Sequence, residues 1–377
     1  MTAVTAVTVM ADDLGVGQVA TLDPSGQLAV AARLGEHLRD AWQRATSAVA
    51  HVELSVGGYR PNGVVVCGMG GSAIGADVVK ACLPELPVPF EVVRGYELPA
   101  WVSPRTLVLA VSYSGNTEET LSCVTSALAR ECRPVCVTSG GTLAALARER
   151  TLPLITVPAG HQPRAAIGYL VPPLGAAIEA AGLATGFGAQ VEEAAALVSE
   201  ITAGLLPEVD EARNQAKQLA RHLHGRLPVA YGAGLTSVVA RRCKSQLNEN
   251  AKAVAFWAEL PELDHNELVG WSGVDGSEGQ LHAIFFLDAE APAPLQRRVA
   301  LTRELVERHA AGVTTLQTRG QTPLARVLSL TCVVDFTSLY LALLRGLDPA
   351  PVDVIEWLKR RMAGHEGAAP PGAARVP

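Results

Sequence analysis

The chain has 377 residues, 49% of them hydrophobic, with 31 Lys plus Arg against 37 Asp plus Glu and a formal net charge of -6. That length and apolar content suffice for two domains with cores of ordinary size, which excludes disorder as the default state. The acidic balance, without any basic run able to track a phosphate backbone, argues against nucleic acid as a partner.

In chain order, "MTAVTAVTVMADDLG" lacks the basic region of a signal peptide, and no 18-residue apolar span is expected, so neither secretion nor a membrane helix is expected. Residues 1–57 read as a helical segment, with apolar positions at helical spacing over 27–50. Five β-branched runs follow, each closed by glycine or a turn: "GVVVCGMG" from 63, "PFEVVRGY" from 89, "TLVLAVSYSG" from 106, "PVCVTSG" from 134 and "LPLITVP" from 152. Ala/Leu-rich helical stretches at 73–83, 118–130 and 142–149 separate them. Continuous apolar strands alternating with helices predict an α/β domain over 58–185, its parallel sheet covered on both faces. Residues 186–225 read as a helical connection. Strand rhythm resumes at "RLPVAYGAG" from 226, "AKAVAFWAEL" from 251, "LHAIFFLDAE" from 281 and "GVTTLQTRG" from 312, predicting a second α/β domain over 226–364. Its glycine turn "YGAGLTSVVARR" echoes the earlier "CGMGGSAIGADVV" and suggests a duplication whose second copy lacks the hydroxyl-rich turn. The Gly/Pro/Ala-rich residues 365–377 are expected to form a flexible tail.

Two loops carry the first site signals. In "CGMGGSAIGADVV", Gly68, Gly70 and Ala73 fit a dinucleotide fingerprint, but the second strand ends at Arg94, with Glu97 beyond it, where a ribose-binding acid belongs. The loop also suits an anion cradle, in which backbone N–H groups and the Ser72 hydroxyl converge at a helix N-terminus. Glycines kept for tight strand-to-helix packing are the plainer reading. In "SYSGNTEET", Ser112, Ser114, Asn116 and Thr117 place small donors beyond a strand's carboxyl end, where the helix dipole favours a phosphate. The plainer reading makes Ser114 or Asn116 the cap of the next helix, with Glu118 and Glu119 in its first turn. A cap needs one hydroxyl and this turn supplies three plus an amide.

"CGMGGSAIGADVV", "SYSGNTEETL", "VTSGGTLAALA", "QPRAAIGYL", "NENAK" and "ELDHNELVGW" occur in this order. Together they resemble the bifunctional phosphoglucose/phosphomannose isomerase family of sugar isomerase (SIS) fold proteins, over residues 58–362. The resemblance implies two SIS-type doubly wound domains and interconversion of glucose 6-phosphate and fructose 6-phosphate, with mannose 6-phosphate as a further expected substrate. It assigns phosphate binding to Gly71, Ser72, Ser112, Ser114 and Thr117. An aldose-ketose isomerase moves a proton between C2 and C1 through a cis-enediol and opens the sugar ring with a second group. Glu249, flanked by Asn248, Asn250 and Lys252, is the expected base. By resemblance His265 opens the ring from the partner subunit of a homodimer, Arg164 stabilises enediolate charge, and Lys359 assists ring opening.

Duller readings stand beside these: a solvated Glu249, a capping or core His265, an Arg164 surface ion pair, and a Lys359 that belongs to a basic helix end with Arg360 and Arg361. His161 and His282 read as structural. Ala350 stands where a threonine is expected in many relatives, which bears on the balance between glucose and mannose phosphates. The seven cysteines are odd in number and contain no CxxC pair, so they read as reduced core residues of a cytoplasmic protein. No His, Cys and carboxylate set has metal-site spacing, so neither metal nor cofactor is expected. Two competing classes remain: a non-catalytic SIS sugar-phosphate sensor, which would need an output domain, and an NADP-linked oxidoreductase motivated by Gly68, Gly70 and Arg94.

Overall fold

The computed structural model describes residues 14–54, 58–272, 277–362 and 364; the expected tail 365–377 lies outside them. Among the described residues, five strands form one sheet: β1 Gly63–Cys67, β2 Phe90–Val93, β3 Thr106–Val111, β4 Val135–Thr138 and β5 Leu154–Thr156. Four more form a second: β6 Leu227–Ala233, β7 Phe256–Leu260, β8 Leu281–Leu287 and β9 Gly312–Gln317. Every pairing is parallel. The orders are β2-β1-β3-β4-β5 and β7-β6-β8-β9, so the second sheet repeats the first four positions of the first. Each strand falls inside a run read from the sequence. The reason is burial on both faces: β1, β3 and β4 are buried at every residue.

The order in which strands are added reverses between β1 and β3 in one sheet and between β6 and β8 in the other, the positions where such sheets open a ligand crevice. In the first sheet Cys67 pairs with Ala110, so the glycine loop after β1 and the hydroxyl turn after β3 leave the same edge side by side. In the second, β8 runs into Asp288-Ala289-Glu290-Ala291-Pro292, without a hydroxyl.

Two expectations need correction. The leading helix is broken into Gln27–Ala32 and Leu34–Val49, because Arg33 leaves helical geometry at ψ 13°. The Asp23 carboxylate starts the first piece by accepting the amides of Gln27 and Leu28, both at 2.8 Å. An apolar span also exists: helix Pro323–Leu344 has 22 residues and a mean hydropathy of 1.9, long and apolar enough to cross a membrane. Here its apolar window is 100% buried inside the fold. It packs on helices from both halves, including Gly70–Cys82, Phe187–Ala203, Gln215–Leu223 and Ser237–Glu249. A single apolar cluster therefore runs from Val64 and Leu109 near the first sheet to Leu330 and Tyr340, and fixes the relative placement of the two sheets.

Candidate active site

The first layer of the site is the hydroxyl turn. Ser112 is buried and its Oγ lies 2.8 Å from Thr117 Oγ1, while accepting the Gly115 amide at 3.0 Å. Thr117 is the N-cap of helix Glu118–Ala129, yet its side chain makes no capping bond. Asn116 does not cap that helix either; its Oδ1 accepts Thr142 N and Thr142 Oγ1, each at 3.0 Å, and so starts helix Gly141–Glu149. Ser114 is exposed and its Oγ accepts the Asn116 amide at 3.3 Å. Capping thus does not account for Ser112, Ser114 or Thr117. Glu118 and Glu119 occupy the first turn, where the dipole favours them.

The glycine loop forms the second layer. Gly71 and the buried Ser72 lie in the first turn of helix Gly70–Cys82. A Cβ at Gly71 would sit 2.5 Å from Pro163 O and 3.3 Å from Arg164 Cα, so only glycine admits the turn Pro163–Ala165 this close. That contact carries Arg164 to the loop. Gly71→Ala should shift the Arg164 turn and lower kcat/KM by about 10²-fold, the effect of an ångström-scale misplacement; a value near wild type in steady-state kinetics would show that the close approach is dispensable.

Arg164 is 3% exposed, so it is no surface ion pair. Its Nε donates to Asn250 Oδ1 at 2.6 Å, and Nη2 donates to the carbonyls of Pro349 at 2.8 Å and Ala350 at 2.7 Å. Nη1 lies 3.6 Å from Glu249 Oε2. Burial pushes the Arg164 pKa down, and the Glu249 and Asp348 carboxylates oppose this. Behind it, Asn250 Nδ2 donates to Ser338 Oγ at 2.9 Å, and Arg242 donates to the Arg164 carbonyl at 2.9 Å. Arg242 also forms a bidentate pair with Asp335, at 2.9 and 2.7 Å, and Gln246 donates to the same carboxylate at 2.8 Å. This polar network, buried beneath the arginine, fixes its direction.

Glu249 is the last residue of helix Ser237–Glu249. Its side chain is 28% exposed and lines a cavity of about 770 Å³ together with Lys244, Lys252, Phe256, Pro351 and Ile355. Gly71, Arg164 and Glu249 are therefore brought together through consecutive contacts, and the hydroxyl turn lies beside Gly71 at the same sheet edge.

His265 is not brought there, and Lys359 is not among the residues that line the Glu249 cavity. Glu249 precedes the amino end of β7, whereas His265 closes a 3-10 turn, Glu262–His265, beyond its carboxyl end. Five residues at about 3.3 Å each separate the two ends of β7 by roughly 13 Å. His265 is exposed, neither a core residue nor a cap. Lys359 is exposed on helix Asp353–Met362 beside Arg360 and Arg361. His282 is structural as expected: its Nε2 lies 2.8 Å from Thr314 Oγ1, and burial lowers its pKa to about 4. His161 packs its ring against His37 and Tyr169 at centroid distances of 5.1 and 5.6 Å. Arg94 bonds to Asp77, and so does Arg241 at 3.2 Å, so the arginine that suggested a dinucleotide phosphate is already engaged.

Sequence reasoning did not find Arg242, Gln246, Asp335 or Ser338, nor the roles of Asn250 and Lys252. Asp335 could have been marked, being the one acid within a long apolar run and so in need of a buried partner.

Two parallel sheets of matching strand order, with a small-donor turn and a glycine loop at one switch point, define a duplicated doubly wound α/β architecture with an anion-type site. Residues 212–362 match the family model described as the bacterial phospho-glucose isomerase C-terminal SIS domain. A bifunctional phosphoglucose/phosphomannose isomerase of Caldicellulosiruptor bescii is 37% identical over 329 residues, 87% of this chain and 97% of that protein. One of Aquifex aeolicus is 34% identical over 305 residues, 80% of this chain and 91% of that protein. The chain belongs to the bifunctional phosphoglucose/phosphomannose isomerase family. Its fold matches that of hypothetical protein TT0462 from Thermus thermophilus with a TM-score of 0.69 and 19% identity, over 93% of both chains.

Proposed function

We propose that the chain interconverts glucose 6-phosphate and fructose 6-phosphate, and also isomerises mannose 6-phosphate, through a cis-enediol. The observation that carries this reading is the Glu249 carboxylate facing the Arg164 guanidinium at 3.6 Å, on a turn packed against the phosphate-type glycine loop. Gly71, Ser72, Ser112, Ser114 and Thr117 hold the phosphate by backbone N–H groups and hydroxyls. Glu249 carries the proton between C2 and C1, and Arg164 stabilises the enediolate oxygen from a fixed, water-excluded position. Glucose and mannose phosphates differ only at C2 and give one enediol, so one base serves both. Ala350 supplies Arg164 with a backbone carbonyl that any residue would supply; the hydroxyl expected there is missing, which leaves the preference at C2 to the rest of the pocket.

A homodimer in which His265 reaches the partner's Glu249, with Lys359 assisting ring opening, completes the reading. Its support is the distance of His265 from Glu249 within one chain and the apolar exposure lining the Glu249 cavity: Val254 is 62% exposed, Val354 58% and Phe256 53%. A cytoplasmic location accords with seven buried, unpaired cysteines.

The test is a coupled assay on fructose 6-phosphate with a chelator present, reading glucose 6-phosphate and mannose 6-phosphate separately. Both are expected to form, at rates the chelator does not change. Sugar-phosphate binding without formation of either product by the folded protein would assign it to a non-catalytic sensor instead.

A further inference from the structure

Lys252 stands outside the roles assigned so far. It follows the helix that ends in Glu249, and its backbone is left-handed at φ +51°, a conformation that favours glycine over a residue with a Cβ. Strain of this kind persists only where the surroundings impose it, and it concentrates at functional sites. Here it turns the side chain back over the helix end. Lys252 Nζ donates to four carbonyls: Glu249 at 3.1 Å, Asn250 at 3.2 Å, Asp348 at 3.0 Å and Pro349 at 2.8 Å. The first two belong to a helix terminus whose carbonyls have no partner within the helix. The last two belong to the segment after helix Pro323–Leu344, and the Pro349 carbonyl also accepts from Arg164. One ammonium thus ties the backbone of Glu249 to the segment that holds Arg164.

Resting on the isomerase reading above, we infer that Lys252 is a positioning residue. It fixes the spacing between Glu249 and Arg164 by latching segment 348–350 to the end of the catalytic helix. It touches neither carboxylate nor guanidinium and acts through backbone carbonyls. The charges that face it come from every element around it: Arg164 from its 3-10 turn, Glu249 from the helix, Asp348 from the latched segment, Asp353 from the start of the last helix, and Lys244 across the cavity. Burial and Arg164 push its pKa down to about 8, against the pull of Asp348, Asp353 and Glu249. The ammonium is complete below that pH and is lost as pH rises through it, so the latch opens on the alkaline side.

Three variants test this. Lys252→Met removes the ammonium and keeps the strained backbone; Lys252→Gly removes both; Lys252→Arg keeps a charge that does not titrate in this range. Met and Gly are each expected to lower kcat ten- to a hundredfold with KM for fructose 6-phosphate changed less than threefold, since the phosphate-binding loops are untouched. Their alkaline limb of kcat should disappear. Arg should recover part of kcat and move that limb to higher pH. Among residues 348–352, the amides of Asp348, Ala350 and Val352 should exchange with solvent faster in Met and Gly than in wild type; Pro349 and Pro351 carry none. A kcat within twofold of wild type in Met or Gly, an unmoved alkaline limb in a folded Arg variant, or unchanged exchange would overturn the inference. An inactive wild type would instead overturn the isomerase reading, and the exchange measurement would still decide whether the latch exists.

Discussion

Glu249→Gln is expected to lower kcat for fructose 6-phosphate by about 10²–10⁴-fold, the range for loss of a positioned general base, or roughly 3–5 kcal/mol. The amide keeps the size of the carboxylate at the end of helix Ser237–Glu249 but cannot take a proton from C1 or C2. The positions of its neighbours do not depend on that carboxylate. Asn250 and the carbonyls of Pro349 and Ala350 still hold Arg164, with bonds of 2.6 to 2.8 Å, and the Arg242–Asp335 pair lies behind them. KM should therefore change by a few-fold at most, and sugar-phosphate binding by calorimetry should persist. Exchange of a C1 hydrogen of fructose 6-phosphate with solvent should vanish in parallel with turnover, because both pass through the same proton transfer. A variant that keeps kcat within tenfold of wild type would show that another group carries the proton.

How much of this could be read from the chain alone depends on which groups carry each contact. Strands such as β1 and β3 were legible because each holds a run of five successive apolar residues, all of them buried. The hydroxyl turn was legible because three hydroxyls and an amide crowd one sheet edge, although Asn116 proved to start a helix about 25 residues further on. Helix Pro323–Leu344 was not recognised as an unbroken apolar span, because Thr331, Asp335, Thr337 and Ser338 interrupt it. Those groups are buried with partners: Thr331 and Thr337 donate to backbone carbonyls one turn back, at 2.9 and 2.8 Å, and Asp335 meets Arg242. Glu249 was marked by its polar surroundings, Gly71 and Arg164 came from motif resemblance, and the fold adds that Gly71, Arg164 and Glu249 lie in succession. Asn250 and Lys252 stood in a conspicuous motif, but their function was not legible. Two partners of Lys252 are carbonyls 96 and 97 residues away, and a backbone carbonyl leaves no trace in a sequence; Asn250 meets the side chains of Arg164 and Ser338, 86 and 88 residues distant.

A mixture of two inactive variants should regain activity. His265→Ala is expected to lose about 10²–10⁴-fold in kcat, as for loss of an acid/base group, and Glu249→Gln to lose a similar factor. If His265 of one subunit serves Glu249 of the other, a dimer of one Glu249→Gln chain and one His265→Ala chain contains one intact site and one site that lacks both groups. Random pairing of equal amounts makes half the dimers mixed, so the co-expressed pair should reach about one-quarter of wild-type specific activity, given the two-fold symmetry of a homodimer. If His265 instead acted within its own chain, each chain of the mixed dimer would lack one group and activity would stay at the level of the single variants. The geometry favours the first outcome, since β7 separates Glu249 from His265 along its length and the imidazole is exposed. The exposed Val254, Phe256 and Val354 lining the Glu249 cavity would supply apolar surface for such a partner to cover. Replacing Phe256 with Asp should then dissociate the dimer in sedimentation and abolish the complementation, linking assembly to the arrival of the histidine.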